Sequence, residues 1–229
     1  MKNLMIYIHP CKEFTKSYNR LVKIQIENHN PKDTILVTNF PYSHKGVEAI
    51  VVPTDLFCKH RKRASKINVI CYLLENKMLK DICWFHDFDA FQVDDFPDDI
   101  LKDKDAAFTE YGDRNLWNTG SFFFNVNSLN IFQDIKEKMD KRRLNEEWAL
   151  KILTRRNVNN INNRIITLDT SYNMPRRHDL LIAEARANFP IKVLHFHPKN
   201  KEEYLRAIPM MSTALIELFN KYDYIINNE

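Results

Sequence analysis

Ile82-Cys83-Trp84-Phe85-His86-Asp87-Phe88-Asp89-Ala90-Phe91 is an apolar run that ends in two carboxylates with one residue between them. Read as an extended strand, the run alternates its side chains between two faces, so Asp87 and Asp89 point the same way. Two strand rises separate them by about 7 Å. Carboxylate oxygens at that spacing suit a hard divalent cation such as Mg²⁺ or Mn²⁺, which completes its shell with water and substrate phosphate. A solvated acidic strand end is the plainer alternative. The apolar lead-in and the companions found elsewhere in the chain favour the metal site.

Outward from that stretch, the pattern is one of strands alternating with helices. Leu4–Ile8 reads as a buried strand closed by His9-Pro10, and residues 14–28 as a helix. Thr34–Thr38 is a second strand ending at Asn39, and Val47–Val52 a third, stopped by Pro53. Residues 59–78 read as a helix with Ala64, Ile67, Cys71, Leu74 and Met78 as its buried stripe. Beyond the central run, Asp94–Asp99 reads as a surface turn and helix cap, and Ala106–Glu110 as a strand. Gly120 comes just ahead of an apolar strand, where glycine permits a close backbone approach. Ser128–Arg142 and a segment opening at Asn145 read as helices, followed by strands at 164–168 and 191–198 and a helix at 210–226. This is α/β organisation: a mostly parallel, Rossmann-type central sheet flanked by helices, expected as one domain over residues 1–229. Ligands of such sheets bind beyond the carboxyl ends of the strands, which groups His9, Asn39, Asp87 and Asp89 along one edge.

Composition narrows the chemistry. The chain has 229 residues, 44% hydrophobic and 28% charged, with a net charge of +4, which marks a folded protein with a mild preference for anions. Three glycines leave no room for a Gly-rich phosphate loop or a dinucleotide fingerprint. Phosphate binding must then rest on metal and basic side chains. Arg63 and Lys66, beside the buried stripe of their helix, are placed to reach a diphosphate or a base. The four cysteines form no C-x-x-C pair, and Cys71 and Cys83 fall in apolar segments, as buried thiols of a reducing compartment do. With no signal peptide and no membrane-length apolar run, a cytoplasmic location is expected.

Three further groups carry chemistry. Asn118-Thr119-Gly120 precedes Phe122-Phe123-Phe124. Glu146 and Glu147 open a helix, where the macrodipole alone also favours acids. His195 and His197 share one face of the late strand, and imidazoles at a strand end suit a metal already served by carboxylates.

In this order the motifs resemble those of GT-A glycosyltransferases, in the galactosyltransferase-like and glycogenin-like branch. The similarity runs from about residue 4 to about residue 201. A fainter one is to the small GT-A domains of large DNA viruses. Asp87-Phe88-Asp89 resembles the DXD motif, and Asn118-Thr119-Gly120 the Asn-x-Gly that faces the donor sugar. Glu146-Glu147 resembles the acidic pair of the next helix, and His195 with Lys201 the late His-x5-Lys segment. Pro198 stands where that segment usually has glycine, Glu202-Glu203 where it has Pro-Trp, and Glu147 where the branch often has Gln.

The resemblance implies a nucleotide-sugar donor, most simply a UDP-sugar, a glycan acceptor, and Mn²⁺ or Mg²⁺ held by Asp87, Asp89 and His195. It implies Lys201 on the diphosphate, with Asn118 and Gly120 at the sugar. In this scheme Asn39 faces the base and Glu147 takes the acceptor proton, with Glu146 beside it. The stereochemical outcome stays open. Two other readings differ in class. A haloacid-dehalogenase-like phosphohydrolase also places Asp-x-Asp after an apolar strand, but expects Thr or Val where this chain has Phe91. A nucleic-acid-binding module would rest on the basic run from Lys59 to Lys66, which has no interleaved aromatics and competes with thirty acidic residues elsewhere.

Overall fold

The computed structural model describes residues 1–59, 61–111, 116–176, 180–196, 206 and 208–227, without the side chains of Arg63 and of residues beyond Tyr222. Strands β1 (Lys2–Tyr7), β2 (Thr34–Thr38), β5 (Ile50–Val51), β6 (Cys83–His86), β8 (Ala106–Glu110), β9 (Trp117–Phe124) and β10 (Ile165–Leu168) form a seven-stranded sheet in the order β10-β8-β9-β6-β1-β2-β5. Only β9 runs antiparallel to its neighbours, β6 and β8; the other pairings are parallel. A hairpin of β3 (Ser43–His44) and β4 (Val47–Glu48) projects from one side. A three-stranded sheet joins β11 (Met174–Pro175), β12 (Val193–His195) and β7 (Ala90–Gln92).

Helices cover both faces, which is why the central strands read as unbroken apolar runs. Along β1, Leu4 packs with α2 (Ser65–Glu75), α3 (Leu129–Arg142) and α4 (Glu146–Arg155), while Met5 and Tyr7 pack with Val22 and Ile26 of α1 (Lys16–Asn28). The same alternation sends Phe85, Phe122 and Phe124 into the first core. It sends Trp84 and Phe123 into a separate core beneath the small sheet. A fourth core joins Phe91, Leu194 and Phe196 to Leu180 of α5 (Leu180–Ala185) and to Leu215 and Phe219 of the last helix, Thr213–Asn227. Among the described residues no helix is long and apolar enough to cross a membrane.

Several expected elements shift. The third strand is split. Lys45 and Gly46 both take positive φ, 48° and 81°, the geometry of a two-residue hairpin turn. Val47-Glu48 therefore pairs back on Ser43-His44, and only Ile50-Val51 reaches the main sheet. The helix expected over 59–78 begins at Ser65, after a 3₁₀ turn at Lys62–Ala64, and stops at Glu75 before Lys77 turns left-handed. Most of the basic run thus precedes the helix. No helix follows the acidic turn at Asp94–Asp99, and Asp94 pairs instead with Lys192. Gly120 lies within β9 rather than before it.

Candidate active site

The two aspartates stand off the strand. β6 ends at His86; the Asp87 N–H donates to the Gly120 carbonyl at 2.8 Å, and the Ala90 N–H returns to the Asp87 carbonyl at 3.0 Å. Asp87–Ala90 is therefore a tight turn between β6 and β7. The carboxylates converge because the turn folds them together, not because a strand alternates them. The antiparallel pairing of β7 with β12 sets His195 opposite Ala90. The nearest ligand atoms of Asp87, Asp89 and His195 all lie within 4.8 Å of one another. The His195 Nε2 is 3.1 Å from an Asp89 oxygen and 3.9 Å from an Asp87 oxygen.

The ring's other nitrogen settles what this triangle needs. The His195 Nδ1 lies 3.0 Å from the Asn173 amide oxygen, and the Asn173 amide nitrogen faces the Asn118 carbonyl at 3.5 Å. With Asn173 oriented this way, Nδ1 is the donor and Nε2 turns its lone pair toward a carboxylate. Two acceptors at 3.1 Å require a cation or a proton between them. Carboxylate oxygens with one imidazole and access to water suit Mn²⁺ or Mg²⁺. Gly120 makes room for the ring. A Cβ there would lie 2.2 Å from His195 Cε1, 2.6 Å from its Nδ1 and 3.2 Å from an Asp87 oxygen.

A second cluster adjoins the first. Asn145 caps α4 by accepting from the Trp148 N–H, so that helix begins with Glu146 and Glu147 at the sheet edge. Glu146 is 2% exposed. One of its oxygens receives Lys66 at 3.3 Å and the Thr119 hydroxyl at 3.2 Å, while the other has no partner among the described residues. The Lys66 ammonium also donates to the Thr119 carbonyl at 2.7 Å, lies 3.8 Å from Asp87 and sits over the Phe85 ring. Glu147 accepts from the Tyr111 hydroxyl at 2.9 Å and lies 3.5 Å from the Thr119 N–H.

Charge and burial compete here. Burial disfavours the Lys66 ammonium, but Asp87, Glu146 and Glu147 outweigh it and hold its pKa above the ordinary lysine value. Burial also opposes ionisation of Glu146, yet Lys66 and its hydrogen bonds hold that carboxyl below the usual range. Glu147 goes the other way: burial, reinforced by Glu146, raises it despite Tyr111. Burial, with Asp89 and Glu146, likewise raises Asp87 against the pull of Lys66 and His195.

These groups line a cleft of about 570 Å³ at the carboxyl ends of β1 and β6, walled on its far side by Ser17, Tyr18 and Leu21 of α1. Asp87, Asp89, Asn118, Gly120, Glu146, Glu147, Lys66 and His195 all border it. Asn39 does not. Its amide clasps the His9 backbone from both sides, at 2.9 Å each way, and also donates to Thr54 at 3.2 Å. His197 and Lys201 lie outside the described residues, as does the Arg63 side chain. Tyr111 and Asn173 carry no signal in the sequence, and Thr119 enters it only as the middle residue of the Asn118–Gly120 motif. Each acts on a candidate site residue through a contact between segments distant in sequence.

No protein-family model and no curated protein sequence matches the chain. Solved structures do. A glycosyltransferase involved in glycosylation of the major capsid of PBCV-1 superposes with a TM-score of 0.54 at 13% identity, over 85% of this chain and 93% of that one. The galactosyltransferase LgtC, solved in complex with donor and acceptor sugar analogues, gives 0.53 at 11% identity, over 93% and 97%. The glycosyltransferase GlyE of Streptococcus pneumoniae TIGR4 gives 0.56 at 14%, over 85% of this chain and 54% of that one, so the chain spans about half of GlyE's length. The structural neighbours are GT-A glycosyltransferases, and the chain has their fold: a mixed α/β structure on a mostly parallel sheet of seven strands, with Asp87-Phe88-Asp89 fitting the DXD motif.

Proposed function

We propose that the protein is a metal-dependent glycosyltransferase that moves a sugar from a nucleotide-diphosphate donor, a UDP-sugar, to the hydroxyl of a glycan acceptor. One observation carries this reading: in a GT-A fold, Asp87, Asp89 and His195 converge at the carboxyl edge of the sheet with two acceptor atoms facing each other at 3.1 Å. Those three residues would hold Mn²⁺ or Mg²⁺. When bound, such an ion stabilises the negative charge that grows on a departing diphosphate.

The other roles fall to the chain's own side chains. Asn118 is 1% exposed on the cleft wall, and its amide nitrogen has no partner among the described residues, which suits a donor to a sugar hydroxyl. Glu147, whose pKa is raised by burial, is the candidate to take the acceptor proton, held in place by Tyr111. Lys66 and Glu146 balance charge between that base and Asp87. Lys201 is assigned to the diphosphate on the family resemblance.

The test is thermal unfolding with UDP and Mn²⁺. Together they raise the Tm, and a chelator removes the gain; an equal gain in chelator removes the metal from the proposal. A panel of nucleotide sugars, assayed for hydrolysis with and without Mn²⁺, then selects the donor.

A further inference from the structure

A polar side chain stands in the apolar stripe of α1. Gln25 falls between Val22 and Ile26, and like Val22 it is 0% exposed. Helical periodicity calls for an apolar residue there, and a buried amide must find partners. Gln25 finds them on the turn that carries the aspartates. Its Nε2 donates to the Phe88 carbonyl at 3.0 Å and to the Ala90 carbonyl at 2.8 Å, the two that flank Asp89. Two carbonyl acceptors fix which end of the amide faces them. The amide oxygen is left with no partner among the described residues. Both donors are committed to the turn even though the acceptor goes unsatisfied.

The rest of the turn is fastened from other directions. The Gly120 carbonyl holds the Asp87 N–H, and the Phe196 N–H, at 2.9 Å, holds the Asp89 carbonyl. The main sheet and the small sheet thus grip the backbone at Asp87 and at Asp89. Gln25 is the grip from the helix layer, on the peptides between and after them. Without it, the buried Phe88 and Ala90 carbonyls would each lose a donor, and the Phe88–Asp89 peptide, which neither the Gly120 bond nor the Phe196 bond holds, would rotate to recover one. A rotation of that kind swings the Asp89 carboxylate away from Asp87 and His195.

We propose that Gln25 is a positioning residue, which holds the Asp87–Ala90 turn in the shape that lets Asp87, Asp89 and His195 bind one divalent cation. This rests on the metal-site reading above. It adds a contact partner to the ligands, in the way that groups behind metal ligands set their orientation.

The experiment measures Mn²⁺ affinity directly, by titrating the whole protein without nucleotide and reading free Mn²⁺ by electron paramagnetic resonance. Gln25→Met keeps the side chain's length and removes both donors; its Kd for Mn²⁺ is expected to rise at least tenfold in the folded protein. Ile135→Ala, in the core of α3 away from the turn, lowers stability while leaving the Kd within twofold. Gln25→Asn withdraws the donors by one methylene, keeps the amide, and gives the same rise should the Met variant not fold. In the parent protein, a titration with diamagnetic Mg²⁺ shifts the Gln25 side-chain amide resonance. A folded Gln25 variant with parental Mn²⁺ affinity overturns the proposal, as does a Gln25 amide that stays unmoved on Mg²⁺ binding. Asp89→Asn separates the two ideas. If it loses Mn²⁺ and Gln25→Met does not, only the Gln25 role fails; if it binds Mn²⁺ like the parent, the metal site itself fails and Gln25 with it.

Discussion

Gly120 matters for what it lacks. The His195 ring occupies the place of a β-carbon, 2.2 Å from where that atom would be, and the backbone carbonyl of Gly120 holds the Asp87 N–H. A methyl group must therefore displace the imidazole or shift the backbone of β9, which bulges from β8 at this point and whose Gly120 carbonyl holds the Asp87 N–H. Gly120→Ala is expected to cost about 1–3 kcal/mol of stability and to weaken Mn²⁺ binding more than an equally destabilising change in a remote core. Chemical denaturation and Mn²⁺ titration on the same sample check both. Glu147 makes the opposite kind of prediction. It touches none of the three candidate ligands, so Glu147→Gln should leave donor and metal affinity nearly unchanged. If Glu147 is the base, turnover falls by about 10²–10⁴. An unchanged turnover would reduce Glu147 to a helix-dipole acid hydrogen-bonded to Tyr111.

At the scale of elements, what was legible in the sequence was what periodicity encodes. β1, β2, β8 and α1 stand within a few residues of their expected bounds, because the strands are short runs rich in apolar residues and α1 carries an apolar stripe at helical spacing. The Asp pair and His195 were legible as types at strand ends. Their meeting was expected only from the family resemblance and not from any local pattern, because it depends on the pairing of β7 with β12, about a hundred residues apart. Lys66 reads from the sequence as a residue placed to reach a diphosphate or a base; it does border the cleft, but it is 8% exposed and ties α2 to α4 and to the turn. A buried ion pair is costly to halve and cheap to replace whole. Lys66→Met, which strands the Glu146 carboxylate, is expected to cost about 3–5 kcal/mol. Adding Glu146→Gln should return part of that loss, giving a coupling of more than 1 kcal/mol in a double-mutant cycle. Strict additivity would mean that Lys66 answers to Asp87 and the Thr119 carbonyl instead.

For the molecule as a whole, an acid-sensitive pair of histidines lies where the end of α1 meets the layer beneath the sheet. His29 closes α1 against Trp84 and His86, its ring centroid 5.8 Å from each. Burial pushes the His29 pKa down to about 4, from an ordinary value of 6.5. The unfolded chain therefore binds a proton there at a pH where the folded chain does not. The folded state therefore keeps its full advantage above pH 6.5 and loses it as the pH falls from 6.5 toward 4. The slope is at most about 1.4 kcal/mol per pH unit for one such group. His86, also buried and pushed down to about 3, adds a second proton and extends the loss further into acid. Glu147 works against this trend, since a carboxyl whose folded pKa is raised favours the folded state as the pH falls. Denaturant midpoints should thus be flat from pH 8 to 6.5 and decline from 6.5 to 4. His29→Gln isolates one share: its profile should decline less steeply between 6.5 and 4, by up to one proton's worth, whatever its stability at pH 8. Parallel profiles for parent and variant would show that His29 titrates normally in the folded protein and that the acid sensitivity belongs to other groups.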